Sequence, residues 1–141
     1  MRRLVAGSVL AAMVLSAGCS DESERPDCIQ FPSTTCNPVH DPVTFEILFN
    51  TILSPKCGST KACHGTARGG LVFTDIDQSF DLLRGNTGGK ARVKPFDAEC
   101  SELVVRTHVT GEEWSMPPGT PLTEPERCEI RKWVEAGATR Q

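Results

Sequence analysis

The stretch that decides the reading of this chain is Cys57-Gly58-Ser59-Thr60-Lys61-Ala62-Cys63-His64. A cysteine pair whose second member is followed directly by histidine is the arrangement that attaches c-type haem. Two thiols add across the two vinyl groups of the ring, and the adjacent imidazole is thereby placed under the iron. A methionine from a later loop supplies the other face, where a thioether raises the reduction potential. Met116, in the run Met116-Pro117-Pro118-Gly119, is the only methionine that remains once Met1 and Met13 leave with the leader described below. The usual motif has two residues between its cysteines, which holds both sulfurs on one helical turn. Here Gly58 to Ala62 intervene, so the pair reads either as haem attachment through a bulged loop or as a disulfide whose closure Gly58 eases. Zinc ranks below both, because Cys63 and His64 are adjacent and no fourth ligand stands at zinc-finger spacing. His108 is a spare axial ligand if Met116 is not used, and a surface residue otherwise. His40 has no assigned role.

Outward from this stretch the chain reads as mostly helical with long connecting loops. On its N-terminal side Phe45, Leu48, Phe49 and Ile52 recur at helical spacing, with Asp41 as cap, Pro42 in the first turn and Ser54-Pro55 as the stop. On its C-terminal side Gly69 to Phe73 reads as a turn and a short extended piece. Asp77 caps a brief helix over 78–84 that turns Phe80 and Leu83 inward and stops at Gly85. Residues 101–109 form a third short helix. The last helix has the fullest set of signals: Thr123 and Glu126 make a capping box, Pro125 lies in the first turn, Ile130, Trp133 and Val134 form the apolar stripe, and Gly137 is the stop.

The N-terminus carries a different signal. Arg2 and Arg3 precede the apolar run Leu4 to Leu15, which is followed by the small residues Ser16, Ala17 and Gly18. Basic, apolar, small is the order of a secretory leader, and the run is short for a membrane span. Cys19 follows directly, so Leu15 to Cys19 reads as a lipobox, with Ser16 where a branched apolar residue is usual. Residues 1–18 are therefore expected to be removed, and Cys19 to be acylated as a durable anchor (palmitate among its acyl chains) in the cell envelope, on the periplasmic or surface face of the outer membrane. Residues 19–42, polar and punctuated by Pro26, Pro32, Pro38 and Pro42, read as a tether, and residues 43–141 as one domain.

Of 141 residues, loss of the first 18 leaves 123, enough for one small domain. Loss of Arg2 and Arg3 leaves 13 of 15 basic side chains against 18 acidic ones, a formal charge of −5, which argues against nucleic-acid binding. Six cysteines remain beside Cys19, an even number suited to a disulfide-stapled exported domain. Cys28 and Cys36 lie close in sequence and are expected to close a small loop, while Cys100 pairs most simply with Cys128. No phosphate loop, Gly-x-Ser-x-Gly or recognisable catalytic triad is present, and Glu112-Glu113 reads as solvated, so an electron carrier or binding module is expected rather than an enzyme.

Residues from about Val43 to Thr139 resemble the small cytochrome c domains of bacterial, planctomycete-type surface lipoproteins. The order of elements carries the likeness: Ile52-Leu53 before Cys57…Cys63-His64-Gly65, then Gly69-Gly70-Leu71, Leu82-Leu83-Arg84-Gly85, Val93-Lys94-Pro95, Ser101-Glu102-Leu103, Met116-Pro117, Pro121-Leu122-Thr123 with Glu126, Ile130 and Trp133, and Gly137-Ala138. Phe96 stands where the pattern has glycine. The resemblance implies a cytochrome c-like fold whose first and last helices cross, with Phe49 and Trp133 as the expected contact. It implies haem c held by Cys57 and Cys63 with His64 and Met116 as axial ligands, and a redox partner protein or a surface complex. The alternative is a haem-free, disulfide-stapled version of the fold serving as a binding or structural module. The leader reading has a direct check. Cys19→Ala should abolish incorporation of labelled palmitate and move the protein from the membrane pellet to the soluble fraction. Unchanged labelling would refute it.

Overall fold

In the computed structural model, residues 25–60 and 63–141 are described. The leader, Cys19 and residues 20–24 lie outside them. Four helices carry the fold: α1 (Phe45–Leu48), α2 (Ile76–Arg84), α3 (Glu102–His108) and α4 (Glu124–Glu135), with no strand among the described residues. Among the same residues no helix is long and apolar enough to cross a membrane.

Local chemistry accounts for the helix ends. Thr44, rather than Asp41, caps α1, its hydroxyl accepting from the Ile47 N–H at 3.3 Å. The helix does not stop at Ser54-Pro55. It widens into a π-helical stretch over Phe49–Cys57 that contains Pro55 and delivers Cys57 at its end. The wider turn gives the proline ring room that an α-turn denies it. Asp75 caps α2 by accepting from the Gln78 N–H at 2.8 Å, so this helix begins two residues earlier than the sequence predicts, and Gly85 ends it at φ 74°. The Thr123 and Glu126 capping box opens α4 as expected, with the Glu126 carboxylate accepting from the Thr123 N–H at 2.9 Å.

The core lies between these elements. Phe45, Leu48, Ile52 and Leu53 meet Ile130, Trp133 and Val134 from α4, Leu103 and Val104 from α3, and Leu83 from α2. The first and last helices touch through Phe45 and Trp133, whose ring centres are 5.3 Å apart. Phe49, the expected partner, lies one turn along and packs on Phe45 instead.

The segment ahead of α1 is packed onto the domain from Arg25 onward, although the sequence assigns it to a tether. Ile29 donates its N–H to Glu99 O at 2.9 Å. Arg131 of α4 lies 3.9 Å over the Phe31 ring and donates to Ser33 O and Thr34 O. His40 meets the buried Glu129 carboxylate through its backbone N–H and through Nδ1, at 3.0 and 2.6 Å. Held along α4 in this way, the strap keeps Cys28 and Cys36 apart. The expected pairs are therefore exchanged: Cys28 bonds to Cys100, and Cys36 to Cys128. Each bridge spans a long loop, 72 and 92 residues, and in the chain-entropy account removes about 4 kcal/mol of freedom from the unfolded chain. Peptide mapping without reduction should recover these two pairs. Replacing Cys36 and Cys128 together by serine should cost about 3 kcal/mol, roughly 10 °C of Tm by calorimetry. Recovery of a Cys28–Cys36 peptide would refute the pairing.

Candidate functional site

The four residues that the motif singles out come from three places in the chain and meet at one cavity. Cys57 ends the π-helical stretch, Cys63 and His64 follow the loop, and Met116 comes from the proline-rich segment. All four line a space of about 300 Å³, at the lower end of the size range of small-molecule and cofactor sites. Leu71, Phe73 and Leu103 supply apolar wall.

Hydrogen bonds among the described residues tie together the two ends of the five-residue spacing. The His64 N–H donates to Cys57 O at 3.0 Å, closing the loop at its base and bringing its two ends together. The Gly58 N–H satisfies Leu53 O, and the Cys63 and Gly65 N–H groups both donate to Thr60 O at 3.1 Å. Phe73 N–H then donates to His64 O at 2.8 Å, which fixes the histidine backbone to the next wall. Two glycines make this closure possible. A Cβ on Gly58 would stand 2.3 Å from Phe73 O, and one on Gly65 would stand 2.6 Å from Thr60 O.

His64 is held in one tautomer. Its Nδ1 lies 3.0 Å from Arg68 O and 3.4 Å from Leu71 O, and a carbonyl can only accept, so Nδ1 carries the proton. Nε2 is left with the lone pair, the arrangement in which a histidine binds a metal while a backbone carbonyl orients it. The Phe73 ring stands edge-on to the imidazole, with centres 5.2 Å apart. Met116 is anchored by its own N–H, which donates to Arg106 O at 2.7 Å.

Cys57 and Cys63 are both free thiols rather than a disulfide. Burial pushes the Cys57 thiol up to about 11, with Cys63 and Glu126 adding to the effect and Lys56 opposing it. It is therefore a protonated thiol at neutral pH, unlike the low-pKa thiolate of a disulfide-exchange site. Among the described residues no three His, Cys, Asp or Glu side chains gather closely enough to hold a bare ion. The donors instead line one shared cavity, and two thiols, an imidazole with Nε2 unprotonated and a thioether are a donor set that could hold a haem.

One part of the site was not legible from the motif. Glu102, at the start of α3 and only 8% exposed, is the single acidic residue on the cavity wall among the described residues. Arg92 and Arg106 donate to its Oε1 at 2.8 and 2.9 Å, Lys90 lies 3.0 Å from Oε2, and Arg25 lies 4.0 Å from Oε1. Burial raises the Glu102 carboxyl, but Arg106, Lys90 and Arg92 together outweigh it and lower it to about 2. The spacing of Glu102 and Arg106, four apart on a helix, was a readable signal; the approach of Arg92 and Arg25 was not.

The remaining histidines lie elsewhere. His108 is absent from this cavity wall and packs edge-on to Phe31, with Nδ1 donating to Val104 O at 3.2 Å. Burial lowers its imidazole to about 4, and Arg127 and Arg131 add to the effect. It is not placed as a spare axial ligand. Cys19 lies outside the described residues.

Comparison with protein-family models, with curated proteins and with solved structures gave no match to this chain.

The loop geometry generates a prediction. Gly58→Ala and Gly65→Ala should each destabilise the protein by about 2 kcal/mol through overpacking against backbone, whereas Gly89→Ala, where a Cβ meets nothing within 4 Å, should leave the denaturation midpoint unchanged. Equal midpoints for all three variants would show that the loop is not closed as described.

Proposed function

We propose that this chain is a lipid-anchored electron carrier of the cell envelope, tethered through Cys19, with a cytochrome c-like domain and a covalently bound c-type haem. The observation that carries the reading is the convergence of Cys57, Cys63, His64 and Met116 on one cavity from three separate segments. When bound, haem supplies reversible one-electron chemistry between its ferric and ferrous states.

The residues divide the remaining work. Cys57 and Cys63 would hold the ring covalently as thioethers, independently of its reduction state. His64, with Nδ1 committed to backbone carbonyls, would offer Nε2 to the iron. Met116 would offer its thioether, a donor that favours the reduced form. Leu71, Phe73 and Leu103 exclude water from the cavity, which limits reorganisation on electron transfer. The partner is a redox protein or a surface complex that reaches the exposed edge of the site.

The test is the visible spectrum of the full mature chain made in an exporting host with haem-maturation genes. About one haem per chain should remain with the polypeptide after acid-acetone extraction. Replacing Cys57 and Cys63 by serine should abolish that retention. Met116→Ala should keep the haem attached and lower the midpoint potential. A colourless wild-type protein would remove the cytochrome reading and leave a haem-free, disulfide-stapled binding module.

A further inference from the structure

A second cavity, of about 420 Å³, shares no lining residue with the first. The strap makes one side of it, His108 and Val109 at the end of α3 another, and Arg127, Cys128 and Arg131 of α4 the third. Two ties fix its shape. The Cys36–Cys128 bridge is part of the wall, and Arg131 clamps the strap through Ser33 O and Thr34 O. The volume falls within the range of preformed small-molecule sites.

Two side chains on this wall have bonding capacity left over. A guanidinium carries five N–H donors. Arg131 spends Nε on Glu135 and both Nη groups on the strap, so its charge is matched and its donors are engaged. Arg127 spends Nη1 on Leu122 O at 3.1 Å and has no other acceptor, and no carboxylate at ion-pair distance, among the described residues. Its Nε and Nη2 lie side by side on one edge of the group, the edge that meets a carboxylate with two parallel bonds. His108 gives its Nδ1 proton to Val104 O, which leaves the lone pair on Nε2. Burial keeps this imidazole neutral at pH 7, with Arg127 and Arg131 adding to the effect, so Nε2 is an acceptor. Glu124, at the first turn of α4, is the one carboxylate on the wall among the described residues, and the strap brings no ionisable side chain to it. Ile29, Phe31, Pro32 and Val109 supply apolar surface.

We propose that this second cavity binds a small organic carboxylate with an apolar body, whose acid group meets Arg127 and whose hydroxyl or amine donates to His108 Nε2. The charge asks for an anion, the paired donors for a planar one, the lone pair for a donor, and the apolar wall for a hydrocarbon or ring between them. The site is separate from the cavity of Cys57 and His64, and it stands or falls independently of haem.

The experiment titrates the full mature chain by calorimetry with three probes of one shape: para-hydroxyphenylacetate, its neutral amide, and phenylacetate, which lacks the hydroxyl. Wild type should bind the hydroxy acid at least about tenfold more tightly than the amide, and about threefold or more above phenylacetate. Arg127→Gln should erase the preference for acid over amide, and Arg127→Lys, which keeps the charge and loses the paired donors, should keep part of it. His108→Phe should erase the preference for the hydroxyl and leave the preference for the acid. Lys94→Gln, on neither cavity wall, should change nothing. In the wild-type spectrum the His108 ring resonances, assigned by their loss in His108→Phe, should move on binding. The wild-type ratio needs no variant: equal affinity for acid and amide, or no binding of any probe, would overturn the proposal. So would a preference for the acid that survives Arg127→Gln, or binding that leaves the His108 resonances in place. A colourless chain that binds the hydroxy acid would remove the haem reading and keep this one.

Discussion

The contact between Phe45 and Trp133 is the constraint on which the other arrangements depend. It locks the helix that delivers Cys57 against α4, and both rings are fully removed from water. Burying two large aromatic side chains contributes several kcal/mol, a large share of what a domain of this size retains. The same helix α4 then serves three other contacts. Cys128, Glu129 and Arg131 hold the N-terminal strap, and Glu126 pairs with Lys56, the neighbour of Cys57. Trp133 also turns its indole N–H to Thr139 O at 2.7 Å, which folds the chain end back over the helix. One element thus sets the position of the thiol loop, the strap and the C-terminus together.

Given that lock, the cavity follows from what the loop can satisfy locally. A helix end leaves carbonyl groups without partners, and a spacing longer than the usual two residues adds more. Among the described residues Leu53 O, Ser54 O, Cys57 O and Thr60 O find donors in the Gly58, Cys63, His64 and Gly65 N–H groups, and the bond from His64 to Cys57 O ties the two ends of the spacing together. The electrostatics run in two directions around the same space. At the thiol side, burial keeps Cys57 protonated. At the α3 side, cations outweigh burial and keep Glu102 ionised. One wall thus carries a neutral thiol and the other an ionised carboxylate ringed by cations.

The helices were legible in the sequence where the signal was local. The α4 capping box, its apolar stripe and its glycine stop need only neighbours along the chain, and they stand as read. Where a local rule met tertiary packing, the rule gave way. Pro55 reads as a stop, but the buried pair Ile52 and Leu53 holds the helix on its course and a wider turn absorbs the ring. The disulfides were legible as a set and not as pairs, because pairing depends on how Arg131, Phe31 and Glu129 lay the strap along α4. The cavity was legible through Cys57, Cys63, His64 and Met116, since motif order carries them. Arg92 and Arg25 reach Glu102 only through the fold, and no spacing along the chain announces it.

Phe96 shows how a strained backbone position is held by its neighbours. The residue sits at φ 65°, in the left-handed region that favours glycine, and its side chain is three-quarters exposed. A non-glycine residue there costs roughly 1–2 kcal/mol. Two features offset the cost. The Phe96 N–H donates to Val134 O at 2.9 Å, and the ring lies over Gly137, where a Cβ would stand 2.6 Å from it. Gly137 is thus required twice, once to end α4 at φ 103° and once to admit the ring. The turn from Lys94 to Ser101 keeps its form through the Ser101 hydroxyl, which accepts from the Lys94 N–H at 2.8 Å and donates to Asp97 O at 2.7 Å. Arg92, just ahead of this turn, is held by its own N–H to Leu83 O at 2.8 Å and by its side chain to Glu102, so the backbone on both sides of it is fixed where it meets the cavity wall.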